Sequence, residues 1–92
     1  MSKYIVEFQN SNRDIRKIGE ADTSKECNQI IRQFLEDHNY KSYYWRYFPA
    51  GGIIGANKIQ IDVGSWSEFF FISHEDGSEI NLNELTGEEN NG

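Results

Sequence analysis

The sequence predicts an α+β fold, an antiparallel sheet with one main helix packed on one face, in the chain order β-β-α-β-β-β-β. Three observations carry this. Residues 24–38 hold a helical apolar stripe, whereas Ile59, Ile61 and Val63 alternate with Lys58, Gln60 and Asp62 as a half-buried antiparallel strand does. Six Phe, five Tyr and two Trp supply the apolar area that a chain of 92 residues needs. Each such ring buries about 150–250 Å². The length fits one domain, expected over residues 1–86, with 87–92 a disordered acidic tail.

Residues 3–9 read as the first strand, with Tyr4, Val6 and Phe8 on one face and Ile5, Glu7 and Gln9 on the other. The cluster Asn10-Ser11-Asn12-Arg13-Asp14 turns the chain. Residues 15–20 return as a second strand, in which Ile15 and Ile18 have opposite parity and cannot share a face without a bulge. In the helix, Cys27, Ile30, Ile31, Phe34, Leu35 and His38 fall at i, i+3, i+4, i+7, i+8 and i+11. Thr23 with Glu26 makes a capping box at its start, and Asp22 and Ser24 are rival caps. Asn39 suits the left-handed residue that ends it.

Residues 42–48 are a strand by residue type, with Tyr43, Trp45 and Tyr47 on one face and Tyr44, Arg46 and Phe48 on the other. Pro49 to Asn57 form a Gly-rich connection, 58–63 the alternating strand, and 68–74 a Phe-rich one. Asp76-Gly77 predicts a two-residue type I′ hairpin turn. Its register sets Ser73 opposite Ile80 and Phe71 opposite Leu82, so that Phe69, Phe71, Ile80 and Leu82 share a face and a last strand lies near 79–82. Asn83 to Leu85 read as a helical turn.

Fifteen acids stand against nine bases, a formal net charge of −6. The excess lies at one end: Glu75, Asp76, Glu79, Glu84, Glu88 and Glu89 have no Lys or Arg among them, and residues 1–74 are balanced. A balanced body disfavours a phosphate-backbone binder, which needs clustered cations. The acidic end reads as a solvated tail. With Cys27 the single cysteine, no internal disulfide can form. No apolar run approaches the roughly 18–20 residues of a membrane span, and the first residues lack a secretory pattern. A cytoplasmic location, with no membrane association, is the expectation.

No residue set reads as catalytic, cofactor-binding or metal-binding. Cys27 and His38 lie about 16 Å apart along one helix and cannot pair as nucleophile and base. His74, Glu75, Asp76 and Glu79 miss the calcium-loop spacing, and two histidines leave little for zinc. Gly51-Gly52-Ile53-Ile54-Gly55 lacks the Gly-Lys-Ser/Thr ending of a phosphate-binding loop, and its G-x-x-G links strands rather than the helices of the KH module. An enzyme would need a deep pocket lined by His74, Asp62 or Glu68.

The aromatic strand carries the functional expectation. One helix covers one sheet face, yet both faces of 43–48 and of 69–72 are apolar or aromatic. The second face is shielded by the Gly-rich loop, Trp66, the C-terminal segment, a dimer mate or a partner. Tyr, Trp and Arg are the residue types that dominate protein interfaces. Tyr44, Arg46 and Trp66 are therefore the expected contact residues, with Ile53 and Ile54 at the glycine-loop tip and Glu75 and Asp76 in the acidic segment. The alternative is a single-stranded nucleic-acid binder that stacks bases on these rings.

The segment Ile61-Asp62-Val63-Gly64-Ser65-Trp66-Ser67-Glu68-Phe69-Phe70-Phe71-Ile72, with Tyr44-Trp45-Arg46 upstream, resembles small proteins of phages and prophages of Gram-positive bacteria. The likeness spans about residues 40–74 and implies a context, not a fold or a site. Short acidic phage proteins often bind and block a host protein, including components of bacterial immunity. The resemblance thus implies a phage-encoded inhibitor in the host cytoplasm, such as an anti-CRISPR, with a host protein as partner.

Overall fold

The computed structural model describes residues 3–39, 45–49, 57–64, 67–82 and 84–85. They form one helix, α1 (Ser24–Asp37), and five strands: β1 (Tyr4–Gln9), β2 (Ile15–Ala21), β3 (Arg46–Pro49), β4 (Ile59–Asp62) and β5 (Phe69–His74). The strands make one antiparallel sheet in the order β2-β1-β5-β4-β3. The α+β class and the single helix on an antiparallel sheet are as the sequence predicts.

Alternation sorts the sheet into two faces. Val6 and Phe8 of β1, Phe70 and Ile72 of β5, and Ile59 and Ile61 of β4 point to the helix side, all buried. There they meet Cys27, Ile31, Phe34 and Leu35 of α1 in one cluster. Phe34 is its pivot, with ring centroids 4.5 Å from Phe8 and 5.5 Å from Phe70. Trp45 and Tyr47 of the β3 segment pack on the same cluster. The Tyr47 hydroxyl donates to Asn28 Oδ1 at 3.0 Å, so a buried polar residue of the helix is satisfied from the far edge of the sheet.

The helix ends follow the sequence. Glu26 N–H donates to Thr23 Oγ1 at 3.2 Å, and the Glu26 carboxylate accepts from Asp22 N–H at 3.3 Å, one residue before the cap. Asn39 has φ +59°, the left-handed conformation expected after the last turn.

β2 does contain a bulge. Val6 pairs with Gly19 and Glu7 with Lys17, which leaves Ile18 as the extra residue. The bulge does not bring both isoleucines inward, however: Ile18 packs on the core, while Ile15 turns to the opposite face at 47% exposure. Past the bulge Arg16 lies opposite Phe8, its guanidinium carbon 5.8 Å from the Phe34 ring centre. Pro49 is part of β3 rather than the residue that stops it. It has no N–H to give a second neighbour, and β3 is an edge strand that has none.

The C-terminal hairpin is corrected. Residues 78–81 form no strand. Both sides of β5 are already taken, by β1 and by β4, so no edge is left for a strand near 79–82. The turn also lies one residue earlier than expected: Gly77 N–H donates to His74 O at 3.0 Å, and Gly77 alone of the pair has positive φ, +78°, where a type I′ turn needs both. The segment crosses instead to the helix side, where Ile80 and Leu85 are buried beside Phe70 and Ile72. Phe69 and Phe71, which the hairpin register would have placed with Ile80, are on the other face. Leu82, Glu84 and Leu85 are helical.

Candidate functional site

The helix and the C-terminal segment both pack on the face of Val6, Phe70 and Ile61, so the question of which face is covered has one answer among the described residues. The other face is built from the alternate positions of every strand. Across it run Phe48, Gln60, Phe71, Glu7 and Lys17, each the ladder partner of the next. On one side of this row lie Ile5 and Ser73, and on the other Arg46 with Asp62, and Phe69 with Gln9 and Ile15. Phe48, Phe69 and Ile5 are half-buried.

Phe71 is buried at 8% exposure although it stands apart from the core cluster. Lys58 reaches across β5 to Glu7, with Nζ 2.9 Å from Oε1, and the same Nζ lies 5.8 Å from the Phe71 ring centre. An ion pair thus arches over the central ring and shields it, with a cation–π contribution. Other cations here are matched as well. Lys17 pairs with Glu20 at 2.7 Å, Lys3 with the same carboxylate at 3.7 Å, and Arg46 sits opposite Asp62. These exposed pairs hold Glu20 below and Lys17 above their ordinary values, through the Lys17–Glu20 hydrogen bond first and their mutual charge second. The face is apolar at its centre and carries charges of both signs at its rim.

Of the expected contact residues, Arg46 is on this face and exposed. Tyr44, Ile53, Ile54 and Trp66 lie outside the described residues. Glu75 and Asp76 are exposed in the turn after β5. Arg46 stands at the Phe69 end of the sheet and the acidic turn at the His74 end, about 20 Å away along six residues of strand, so the two do not form one patch. Ile5, Phe48, Phe69 and the Glu7–Lys58 pair complete the surface. Period-two alternation already put Ile5 opposite Val6; what the sequence lacked was the strand order that sets β5 between β1 and β4.

A second polar cluster lies on the helix side, where Tyr4 of β1 faces His74 of β5. His74 Nε2 is 2.7 Å from Glu84 Oε1, and Nδ1 is 2.8 Å from Ser78 Oγ. Tyr4 donates to the same Oε1 at 3.0 Å, and Asn81 N–H to Oε2 at 2.9 Å. Burial is the largest influence on the Glu84 carboxyl and raises it, but the donors Asn81, His74 and Tyr4, with the His74 charge, together outweigh it and hold it below the ordinary value. Ser78, His74 and Glu84 form a hydrogen-bonded chain of the kind that activates a hydroxyl. The surroundings oppose that use. Ser78 N–H is already bound to Asp76 Oδ1 at 2.9 Å, and the exposed residues beside it in the chain, Glu75, Asp76 and Glu79, are acids, where an oxyanion needs donors. Among the described residues no group of three or more His, Cys, Asp or Glu side chains is placed to hold a metal ion.

Cys27 is fully buried, and His38 stacks on Phe34 at 4.0 Å with Nδ1 3.0 Å from Phe34 O. Among the described residues no helix is long and apolar enough to cross a membrane.

Fold and surface together define a small α+β protein with a helix on one side of a five-stranded sheet and a mixed aromatic face on the other. No family model matches the chain, and no curated protein or solved structure matches it at a significant level.

Proposed function

We propose that this chain is a non-catalytic protein-binding module that engages a folded partner through the sheet face opposite the helix. The observation that supports the reading is the composition of that face: Phe48, Phe69 and Ile5 half-buried beside exposed Ile15 and Arg46, while among the described residues α1 and the C-terminal segment pack on the opposite side of the sheet. An aromatic centre with Arg at its rim is the residue mix of protein contact surfaces. Base stacking is the weaker use of these rings, because Lys58 pairs with Glu7 and Lys17 and Lys3 share Glu20, so these cations stand among carboxylates rather than in a track for phosphates. The finer reading, a phage-encoded inhibitor acting on a host or defence protein, rests on the resemblance of residues 40–74 alone.

The test is capture from a bacterial host lysate by the immobilised full chain, beside the double variant Phe48→Ser/Phe69→Ser and the turn variant Glu75→Gln/Asp76→Asn. Circular dichroism checks that each is folded. A partner retained by the parent chain and the turn variant, and lost at least tenfold by the aromatic double variant, supports the reading. Equal capture by all three refutes the surface. Salt-sensitive recovery of nucleic acid in place of protein favours base stacking. A stable dimer by light scattering, abolished by the double variant, assigns the face to a second copy.

A further inference from the structure

The C-terminal segment is held to the sheet in an unusual way. Residues 78–81 add no strand to the ladder, and the hydrogen bonds of Ser78 and Glu84 to the sheet end on side chains, those of His74 and Tyr4. Two apolar anchors, Ile80 and Leu85, reach the core. One carboxylate is a shared acceptor, since Tyr4, His74 and Asn81 N–H all converge on Glu84. The side chains concerned are mostly shielded, His74 at 14% and Glu84 at 27% exposure.

Three donors bind one carboxylate best while it is ionised, when each bond is charge-assisted. Protonation removes the charge, takes up one of the lone-pair sites and sets a new donor among groups that already donate, so the three bonds weaken together. The imidazole does not create this conflict. Charged, it donates from both nitrogens; neutral, it donates from Nε2 and accepts from the Ser78 hydroxyl, which rotates freely. The charged groups around the cluster are few. Lys3, next to Tyr4, is paired with Glu20; Asp76 accepts from Ser78 N–H; Glu75 and Glu79 are exposed on the turn.

We propose that this segment is an acid-released latch, in which the Glu84 carboxylate fastens residues 78–82 and 84–85 over the helix-side core and its protonation frees them while the five strands stay paired. The folded-state value of Glu84 is depressed, so the fastening is complete above the ordinary glutamate value, 4.5, and is lost as pH falls below it towards the lower folded-state value. Release uncovers the apolar surface beneath Ile80 and Leu85.

The experiment is a pH titration of the labelled full chain from 7 to 3, following methyl resonances of Ile80 and Leu85 against those of Ile59 and Ile72. The latch requires Ile80 and Leu85 to reach free-chain shifts while Ile59 and Ile72 keep folded ones. Tyr4→Phe removes one donor and moves the release to higher pH. Glu84→Gln, whose amide brings its own donors into the same pocket, leaves the segment free at pH 7 and insensitive to acid. Loss of all four resonances in step overturns the proposal. So does a Glu84→Gln chain that stays latched with the parent's pH response, or one that unfolds entirely.

Discussion

Gly19 of β2 lies directly against Ile30 of α1, and replacing it by Ala tests how the helix is seated. A Cβ at this position would lie 3.0 Å from Ile30 Cδ1, 3.1 Å from Cγ2 and 3.5 Å from Cγ1. Carbon contacts are comfortable at about 3.5–4.0 Å, so two of the three are short by half an ångström or so. Cγ2 belongs to a β-branched centre that cannot swing away without a change of χ1. Overpacking of this kind costs about 1–3 kcal/mol. The loss of glycine's freedom in the unfolded chain returns about 0.4–1 kcal/mol. Gly19 is not among the positive-φ glycines, so no backbone strain adds to the cost. The net expectation is a loss of about 1–2 kcal/mol by these two rules. With a urea slope near 1–1.5 kcal/mol/M, the midpoint drops by about 1 M. The assay is a double-mutant cycle with Ile30→Ala. In that background the methyl has room, and Gly19→Ala becomes neutral or mildly stabilising, a coupling of about 1 kcal/mol or more. An equal cost in both backgrounds, or a gain in the parent, would show that Ile30 does not rest on Gly19 and that the helix is seated elsewhere.

Two smaller perturbations report on other joints. Thr23→Ala removes the acceptor for Glu26 N–H and lowers stability by about 1 kcal/mol, read as a fall of roughly 4–8 °C in the melting midpoint. Tyr47→Phe takes a donor from the buried Asn28 amide and costs about 1–2 kcal/mol, measured by urea unfolding, without altering the far-ultraviolet spectrum.

Much of the fold was legible because its signals are local. The stripe Cys27-Ile31-Phe34-Leu35, the capping box at Thr23 and the alternation of Ile59, Ile61 and Val63 each name an element and its buried side without knowledge of its neighbours. The bulge in β2 was legible only as a condition for Ile15 and Ile18 to share a face, and the bulge that exists leaves them on opposite faces. The final hairpin was not. Asp76-Gly77 and the apolar residues after it are consistent with a returning strand, but whether that strand has an edge to join depends on β1, far away in sequence. The contact surface failed at the same step. Arg46 was placed on the open face by alternation, yet the distance from Arg46 to the acidic turn follows only from which strands lie side by side, and the arch of Lys58 over Phe71 joins residues on either side of a third strand.

The central position of β5 also bears on how the protein is made. β1 leaves the ribosome first, but its inner partner is β5, with residue 4 set against residue 74. Until residue 74 has emerged, β1 has only the bulged β2 beside it, β4 has only β3, and the helix has no complete floor on which to rest. Two-stranded pieces of this kind are marginal in water. The nascent chain therefore gains little by folding early, and closure waits on the slow joining of distant segments. A message cut short before Phe69 would yield no smaller version of the protein, only an aromatic-rich chain for the quality-control machinery to clear.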